Sequence, residues 1–482
     1  MQTALPSLIQ GGMGVGVSNW RLARAVASRG QLGVVSGTVL DTLLVRRLQD
    51  GDQDGHMRRA MARFPIPGVA EEVLRKFFVS DGIAPGTQYA LLPMWRQRVS
   101  AFREQVAALS AFVEVSLAKE GHDGPVGINL LTKVQMPNMA TLYGAMLAGV
   151  NVVLMGAGIP KEIPGVLDAL AQHQATEMRF DVDHLAAGRV EMLTFDPARV
   201  WASTASLEPL QRPQFLAIVS ASSLAANLAR KSTGAVNGFV VEGPTAGGHN
   251  APPRGDMKLN DRHEPVYGER DVVDLSKMRE IGLPFWLAGG TGSHGALQRA
   301  LDAGAAGVQV GTLFAFCNES GLEPELRTRA LASVNCGKVE VLTDALASPT
   351  DYPFKIFHMQ NDPDEARRAA RERICDLGYL RTAYARDDGR IDYRCPAEPV
   401  HNFVAKGGEE AKTDHRRCLC NGLLANIGHG QSRGDAGSEP PLLTSGSEMD
   451  VVRELLAGRP GYSADEVVDF IMAGTTAAAA IV

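Results

Sequence analysis

Residues 238–255 read GFVVEGPTAGGHNAPPRG. Phe239, Val240 and Val241 are β-formers, and with Glu242 they make a short buried strand that breaks at Gly243 and Pro244 into a glycine-rich turn. The turn presents His249. Gly247 and Gly248 carry no Cβ, so the backbone there can approach a flat ligand closely, and an imidazole that titrates near neutral pH can exchange a proton with it. Taken alone, GGH reads more simply as a strand-to-loop turn with a solvated histidine. Its neighbours in the chain decide between the two.

Downstream and upstream the same unit recurs. Strands are expected at 215–220, 238–242, 284–288 and 307–310, separated by helical stretches at 223–231, 275–280 and 295–303. Towards the N-terminus, residues 7–10 form a strand that ends in Gly11 and Gly12, followed by a capped amphipathic stretch at 18–27 and a strand at 32–35. Further strands lie at 126–131 and 150–155, each followed by a helix, at 137–147 and 163–171. That makes eight strands, the number that closes a parallel barrel, so the fold class is α/β, a (β/α)8 TIM barrel. The glycines of GGMGVGVS do not make a dinucleotide fingerprint, because no acidic residue ends the next strand. Several of these strands lead into chemistry-bearing residues, Met13, Asn129, Ser220, His249, Gly290 and Thr312, at the face where barrels bind ligands.

Two stretches interrupt the alternation. Residues from about 40 to 124 read as a helical insertion, with a long amphipathic helix at 95–117, and residues 176–204 read as a small hairpin insertion. The barrel with its helical insertion is assigned to residues 1–330. Residues 340–482 form a C-terminal extension, mainly helical, with a linker at 432–441 and a last helix capped by Ser463.

Bulk composition narrows the class. The chain has 482 residues, 45% hydrophobic and 21% charged, with a net charge of −6, so it has material for a large core and no basic excess for nucleic acid. No stretch approaches the roughly 20 apolar residues of a membrane span, and the N-terminus lacks the pattern of a secretory signal, so a cytoplasmic location is expected. Six cysteines in such a chain are read as thiols or ligands rather than disulfides. Cys375, Cys395, Cys418 and Cys420 lack paired C-x-x-C spacing, so packing is expected of them and no metal.

The last two strands point to the ligand. WLAGGTG at 286–292 and GVQVGT at 307–312 place small residues after strands seven and eight, where exposed backbone N–H groups make the usual phosphate cradle of such barrels. A cofactor that carries a phosphate is expected.

The motifs QGGMG at 10–14, Asn129 at a strand end, AGGH at 246–249, AGG at 288–290 and GVQVGT at 307–312 together resemble the nitronate monooxygenase, or 2-nitropropane dioxygenase, superfamily of FMN-dependent barrels. Within it, AGGHNAPPRG, YGERD at 267–271, FAFCNESG at 314–321, SPTDYPFK at 348–355, ICDLGYLR at 374–381, YRCPAEPV at 393–400 and RCLCNGLLANIG at 417–428 are similar to the longer branch. That branch includes the trans-acting enoyl reductases of polyketide and polyunsaturated fatty acid synthases. The resemblance implies that Gly11, Met13, Asn129 and Gly247 line FMN. It also implies that Gly289 and Gly290 approach the phosphate, and that Gln309, Val310, Gly311 and Thr312 close round it. Glu242 stands where short members often carry glutamine, and a carboxylate there can accept a hydrogen bond. His249 matches the catalytic histidine.

The implied activity is oxidation of nitronates or nitroalkanes by an FMN-dependent oxidoreductase. The alternatives are an NAD(P)H-dependent enoyl reductase acting on an acyl thioester carried by an acyl carrier protein or synthase, and a non-catalytic partner subunit with the same fold.

Overall fold

The eight barrel strands are β1 (Leu8–Gln10), β2 (Gly33–Ser36), β3 (Val126–Leu131), β4 (Val152–Gly156), β5 (Gln214–Val219), β6 (Gly238–Glu242), β7 (Phe285–Ala288) and β8 (Gly307–Val310). In this computed structural model, which describes residues 5–202 and 207–473, every neighbouring pair from β2 through β8 runs parallel, and β8 pairs with β1. The ring closes between β1 and β2, where Ile9 faces Leu32, Gln10 N–H donates to Leu32 O at 2.9 Å and Leu32 N–H donates to Leu8 O at 3.1 Å. A parallel barrel of eight strands is the result.

Alternation along the strands explains how the barrel is filled. Ile9, Val34, Leu154, Leu216, Val240 and Trp286 form a separate buried cluster, while their strand neighbours Leu8, Val35, Val153, Phe215, Phe239 and Phe285 belong to the larger core that packs the surrounding helices. Successive residues of a strand point to opposite faces, so one sequence supplies the interior and the outer shell.

The insertion between β2 and β3 is helical, with helices Leu40–Gln49, His56–Met61, Val69–Phe77 and Ala101–Ala118. Here the structure corrects the long helix expected at 95–117. Ser100 caps it, accepting from Arg103 N–H, so the helix starts at Ala101 and Trp95 lies before it. Trp95 is instead a buried anchor whose indole N–H donates to Asp41 at 3.0 Å. The Ala101–Ala118 helix sits tightly on the barrel helix Asn138–Leu147, because a Cβ on Gly144 would come within 1.9 Å of Ala108 O.

Strands Thr176–Phe180 and Glu191–Phe195 pair antiparallel, which is the hairpin expected in the 176–204 region; residues 203–206 lie outside the described residues. Beyond the barrel, helices such as Leu419–Ala425, Met449–Leu456 and Ala464–Met472 alternate with two antiparallel hairpins, Val339–Asp344 with Phe354–Met359 and Thr382–Ala385 with Ile391–Arg394. Ser463 caps the last helix, in a box completed by Glu466. The stretch 432–441 is not a simple linker. Its Glu439 is buried and held by Arg371 at 2.5 Å and by Arg433. Among the described residues no helix is long and apolar enough to cross a membrane.

Candidate active site

One cavity of about 510 Å³ opens at the C-terminal ends of the barrel strands, and its lining includes all twelve residues singled out above: Gly11, Met13, Asn129, Glu242, Gly247, His249, Gly289, Gly290, Gln309, Val310, Gly311 and Thr312. That volume lies within the range of small-molecule sites.

The loop after β1 is pinned from inside. Ser18 Oγ donates to Gly11 O at 2.7 Å and accepts from Met13 N–H at 2.8 Å, so a single hydroxyl fixes the turn. Asn129, at the end of β3, donates to Gly12 O at 2.9 Å. A Cβ on Gly12 would fall 2.4 Å from Asn129 Cβ, which is why this turn needs glycine. The other amide atom of Asn129, Oδ1, is buried without a partner, and so is Gln309 Oε1 on β8. Both residues line the cavity, as does Asn426, whose Oδ1 is likewise buried without a partner, and a ligand with N–H or O–H groups would relieve the cost of leaving such acceptors unpaired.

The loops after β7 and β8 form the opposite wall. Gly289 and Gly290 have φ of +83° and +72°, a left-handed pair that side-chain-bearing residues adopt at a cost. The helix expected to begin near Ser293 starts at Ala296, so bare loop rather than a helix terminus follows these glycines. Thr312 Oγ1 accepts from Gly446 N–H at 2.8 Å, and Gly248 N–H donates to Thr444 Oγ1 at 3.0 Å. Residues 444–448 therefore close over the glycine loops. Glu448 joins them, since a Cβ on Gly290 would lie 2.7 Å from its Oε1.

His249 is held by the C-terminal region. It pairs antiparallel with Phe354, with Lys355 N–H donating to Gly248 O and Asn250 N–H to Pro353 O, each at 2.9 Å. The imidazole meets the Phe354 ring edge-on at 4.9 Å, and its Nε2 is 2.7 Å from Ser348 Oγ. Ser348 is fully buried and also shares a hydrogen bond with Thr350 Oγ1 at 2.8 Å. Arg416 donates to its carbonyl. Burial pushes the imidazole down to about 4, so His249 is neutral at physiological pH. Burial acts oppositely on Glu242, whose carboxyl is pushed up to about 8 although Lys355 counteracts it. A neutral base and a neutral acid thus share one cavity, the pattern by which catalytic pairs divide proton donor from acceptor.

The sequence pattern did not single out Ser348, Lys355, Thr444, Gly446 or Glu448. Ser348 and Lys355 bound the SPTDYPFK stretch, but no local period ties that stretch to His249. The cavity also has an apolar side made by Val15, Val39, Leu322, Leu380, Leu419 and Leu423.

Residues 115–362 match the nitronate monooxygenase family. The chain is also 28% identical over 268 residues to the "putative nitronate monooxygenase" of Saccharomyces cerevisiae, covering 53% of this chain and 63% of that protein. The match therefore spans less than two thirds of that relative. Among solved structures, a nitroalkane oxidase from Streptomyces ansochromogenes superimposes with a TM-score of 0.47 at 16% identity, over 97% of this chain and 95% of that one. The enoyl reductase domain of MlnA from the macrolactin biosynthesis cluster of Bacillus amyloliquefaciens does so with a TM-score of 0.48 at 11% identity, over 97% and 93%. These distant superpositions do not bear on the chemistry. The family match covers half of the chain, from within the Ala101–Ala118 helix through strands β3 to β8 and on past strand Phe354–Met359. The chain therefore belongs to the nitronate monooxygenase family of oxidoreductases.

Proposed function

We propose that the chain is an FMN-dependent oxidoreductase that oxidises nitronates or nitroalkanes, with His249 as the base. The observation that carries this reading is the neutral imidazole at the cavity, anchored by Nε2 on Ser348.

The residues present fit a flavin mononucleotide. Asn129 Oδ1 and Gln309 Oε1 are buried acceptors in want of donors, which the ring N–H and the ribityl hydroxyls of FMN would offer. Gly11 and Gly311 stand so close that a Cβ on Gly11 would touch Gly311 Cα at 3.4 Å, leaving backbone as the surface available to a flat ring. The left-handed Gly289–Gly290 pair, Gly311 and Thr312 would cradle the phosphate. Bound there, the flavin would supply two-electron redox chemistry.

The chain's own part is positioning and proton handling. With the Nε2 proton donated to Ser348 Oγ, Nδ1 is left as the basic nitrogen that takes a proton from the carbon next to a nitro group. Ser348 receives that bond when its own hydrogen is directed to Thr350 Oγ1, one of the two directions open to that hydroxyl pair. Phe354, packed on the ring, keeps water from one side of the imidazole.

The apolar side of the cavity and the protonated Glu242 favour a second reading, reduction of an enoyl thioester with NADH or NADPH as reductant. In that direction Glu242 would donate the proton to the substrate carbon, and a carrier protein or synthase would deliver the acyl group. Both readings are tested by adding a nitronate, NADH or NADPH to the flavin-loaded protein without oxygen and following the flavin absorbance. Bleaching by the nitronate supports the first reading. Bleaching by a nicotinamide nucleotide, reversed by an enoyl thioester, supports the second, and a chain that binds no flavin refutes both.

A further inference from the structure

Tyr352 lines the large cavity on the same strip of chain that holds His249. Along that strip His249 faces Phe354, and the hydrogen bonds from Lys355 N–H to Gly248 O and from Asn250 N–H to Pro353 O fix the same register on either side. One step further, the register sets Tyr352 opposite Ala251. Side chains alternate along such a pairing, so His249, Ala251, Tyr352 and Phe354 share one face, and all four line the cavity. Asn250, between them, turns away and donates to Ala246 O at 3.0 Å. His249 and Tyr352 are therefore diagonal neighbours, with Cβ atoms about 7–8 Å apart, a span that an aromatic side chain bridges.

The Tyr352 hydroxyl is also free to act. Among the described residues no hydrogen bond engages it, whereas Tyr379, elsewhere on the cavity wall, gives its hydroxyl to Asp41. The backbone that carries it is held, since Arg416 donates both to Ser348 O and to the Asp351 carboxylate. Lys133 Nζ, from the loop after β3, stands 5.4 Å from the centroid of the ring. Burial, and to a smaller degree the Asp181 carboxylate, raises the phenol above its ordinary value, so the group keeps its proton and remains a donor.

We infer that Tyr352 is a catalytic residue whose hydroxyl donates a hydrogen bond to the substrate oxygen on which negative charge develops. The inference rests on the functional reading and serves either of its branches. When His249 Nδ1 takes the proton from the carbon of a nitroalkane, the C–H electron pair becomes a C=N bond and a nitro oxygen takes up the charge. When an enoyl thioester is reduced, hydride enters at the β-carbon, and the thioester oxygen takes up the charge until the α-carbon is protonated. In both, the oxygen lies two bonds from the carbon that loses or gains the proton, so a donor one diagonal step from the histidine suits both. Tyr352 keeps its own proton throughout. A donor fixed in place before the charge appears is among the strongest contributions a site can make.

The test is Tyr352→Phe, which removes the hydroxyl and keeps the ring. Flavin content should equal that of the unaltered chain. On a neutral nitroalkane such as nitroethane, or on a crotonyl thioester, kcat should fall about a hundredfold with KM little changed, because the charge exists only in the transition state. On the preformed nitronate the oxygen is charged from the moment of binding, so the loss should move into KM. A packing role would not shift the loss from kcat to KM with the charge of the substrate. Turnover by Tyr352→Phe that matches the unaltered enzyme overturns this inference and leaves the functional reading intact, whereas an unaltered chain that turns over neither substrate class overturns both. Loss of flavin from Tyr352→Phe would assign the hydroxyl to the cofactor, and failure to fold would assign it to the architecture, and either result overturns the inference.

Discussion

His249 Nε2 and Ser348 Oγ lie 2.7 Å apart although 99 residues separate them in the chain. The histidine comes from a barrel loop and the serine from the segment that follows the last barrel strand. The C-terminal region thus reaches the cavity and holds one nitrogen of the imidazole, and on the proposed reading, in which Nε2 donates to Ser348, it leaves Nδ1 as the base.

Removing that hydrogen bond should weaken catalysis without removing the base. A typical hydrogen bond contributes about 1 kcal/mol, so Ser348→Ala is expected to lower kcat roughly five- to tenfold with little change in KM. Ser348→Thr should restore part of the loss. Steady-state kinetics across pH reads the effect, and a Ser348→Ala enzyme with unchanged kcat and pH profile would show the contact to be incidental.

Loss of the imidazole itself should cost more. General base catalysis contributes about 10² to 10⁴, so His249→Ala should lower turnover at least a hundredfold while leaving flavin content intact. Near-normal turnover would remove His249 from the mechanism.

Much of this arrangement was legible in the chain. The β/α alternation needs only local periods, and strand ends such as Asn129, Gly290 and Thr312 follow from it; the structure brings them to one cavity. Ser348 and Lys355 were not legible as site residues, because they reach the GGH loop through an antiparallel pairing with no local signal. The stretch 432–441 was read as a linker from its polar composition, yet those same charges are what bury it, through Glu439 and two arginines. The helix expected to start at Trp95 starts at Ala101 instead, because Ser100 is able to cap it and that outweighs the apolar spacing before it.

The glycine loop after β7 should not tolerate a side chain. In Gly290→Val, a left-handed φ of +72° combines with a Cβ that meets Glu448 Oε1 at 2.7 Å and Thr245 Oγ1 at 3.2 Å. Displacement of the loop should reduce flavin content well below one per chain in protein that still unfolds cooperatively. Full flavin content in the folded variant would count against the phosphate assignment.

A buried network ties the helical insertion to the cavity wall. Asp41 accepts from Arg103 at 2.6 Å, from Trp95 at 3.0 Å and from Tyr379, which lines the cavity. Burial opposes the charge on Asp41, but Arg103 and these hydrogen bonds outweigh it and hold its carboxyl below the usual range. Breaking a buried pair from one side leaves an uncompensated charge, so Asp41→Ala should cost about 3–5 kcal/mol. Urea unfolding measures this, and a loss below about 1 kcal/mol would show that Arg103 finds another partner.

Opposite shifts at His249 and Glu242 predict a stability profile with two slopes. The imidazole drops from 6.5 to about 4, so between those values the unfolded chain holds the extra proton and stability rises with pH. The Glu242 carboxyl rises from 4.5 to about 8, so between those values the native chain holds the extra proton and stability falls as pH rises. From about pH 4.5 to 6.5 the two oppose each other, and from 6.5 to 8 the Glu242 slope acts without the histidine, at up to roughly 1.4 kcal/mol per pH unit. Glu242→Gln removes the carboxyl while keeping its shape and hydrogen-bonding groups. It should therefore flatten the fall between pH 6.5 and 8 and leave the acid limb of His249 in place. Urea midpoints measured for both proteins at pH 5, 6.5, 8 and 9 would show this. Parallel profiles through pH 8 would mean that Glu242 is already ionised in the folded protein, and would remove it as the proton donor for an enoyl substrate.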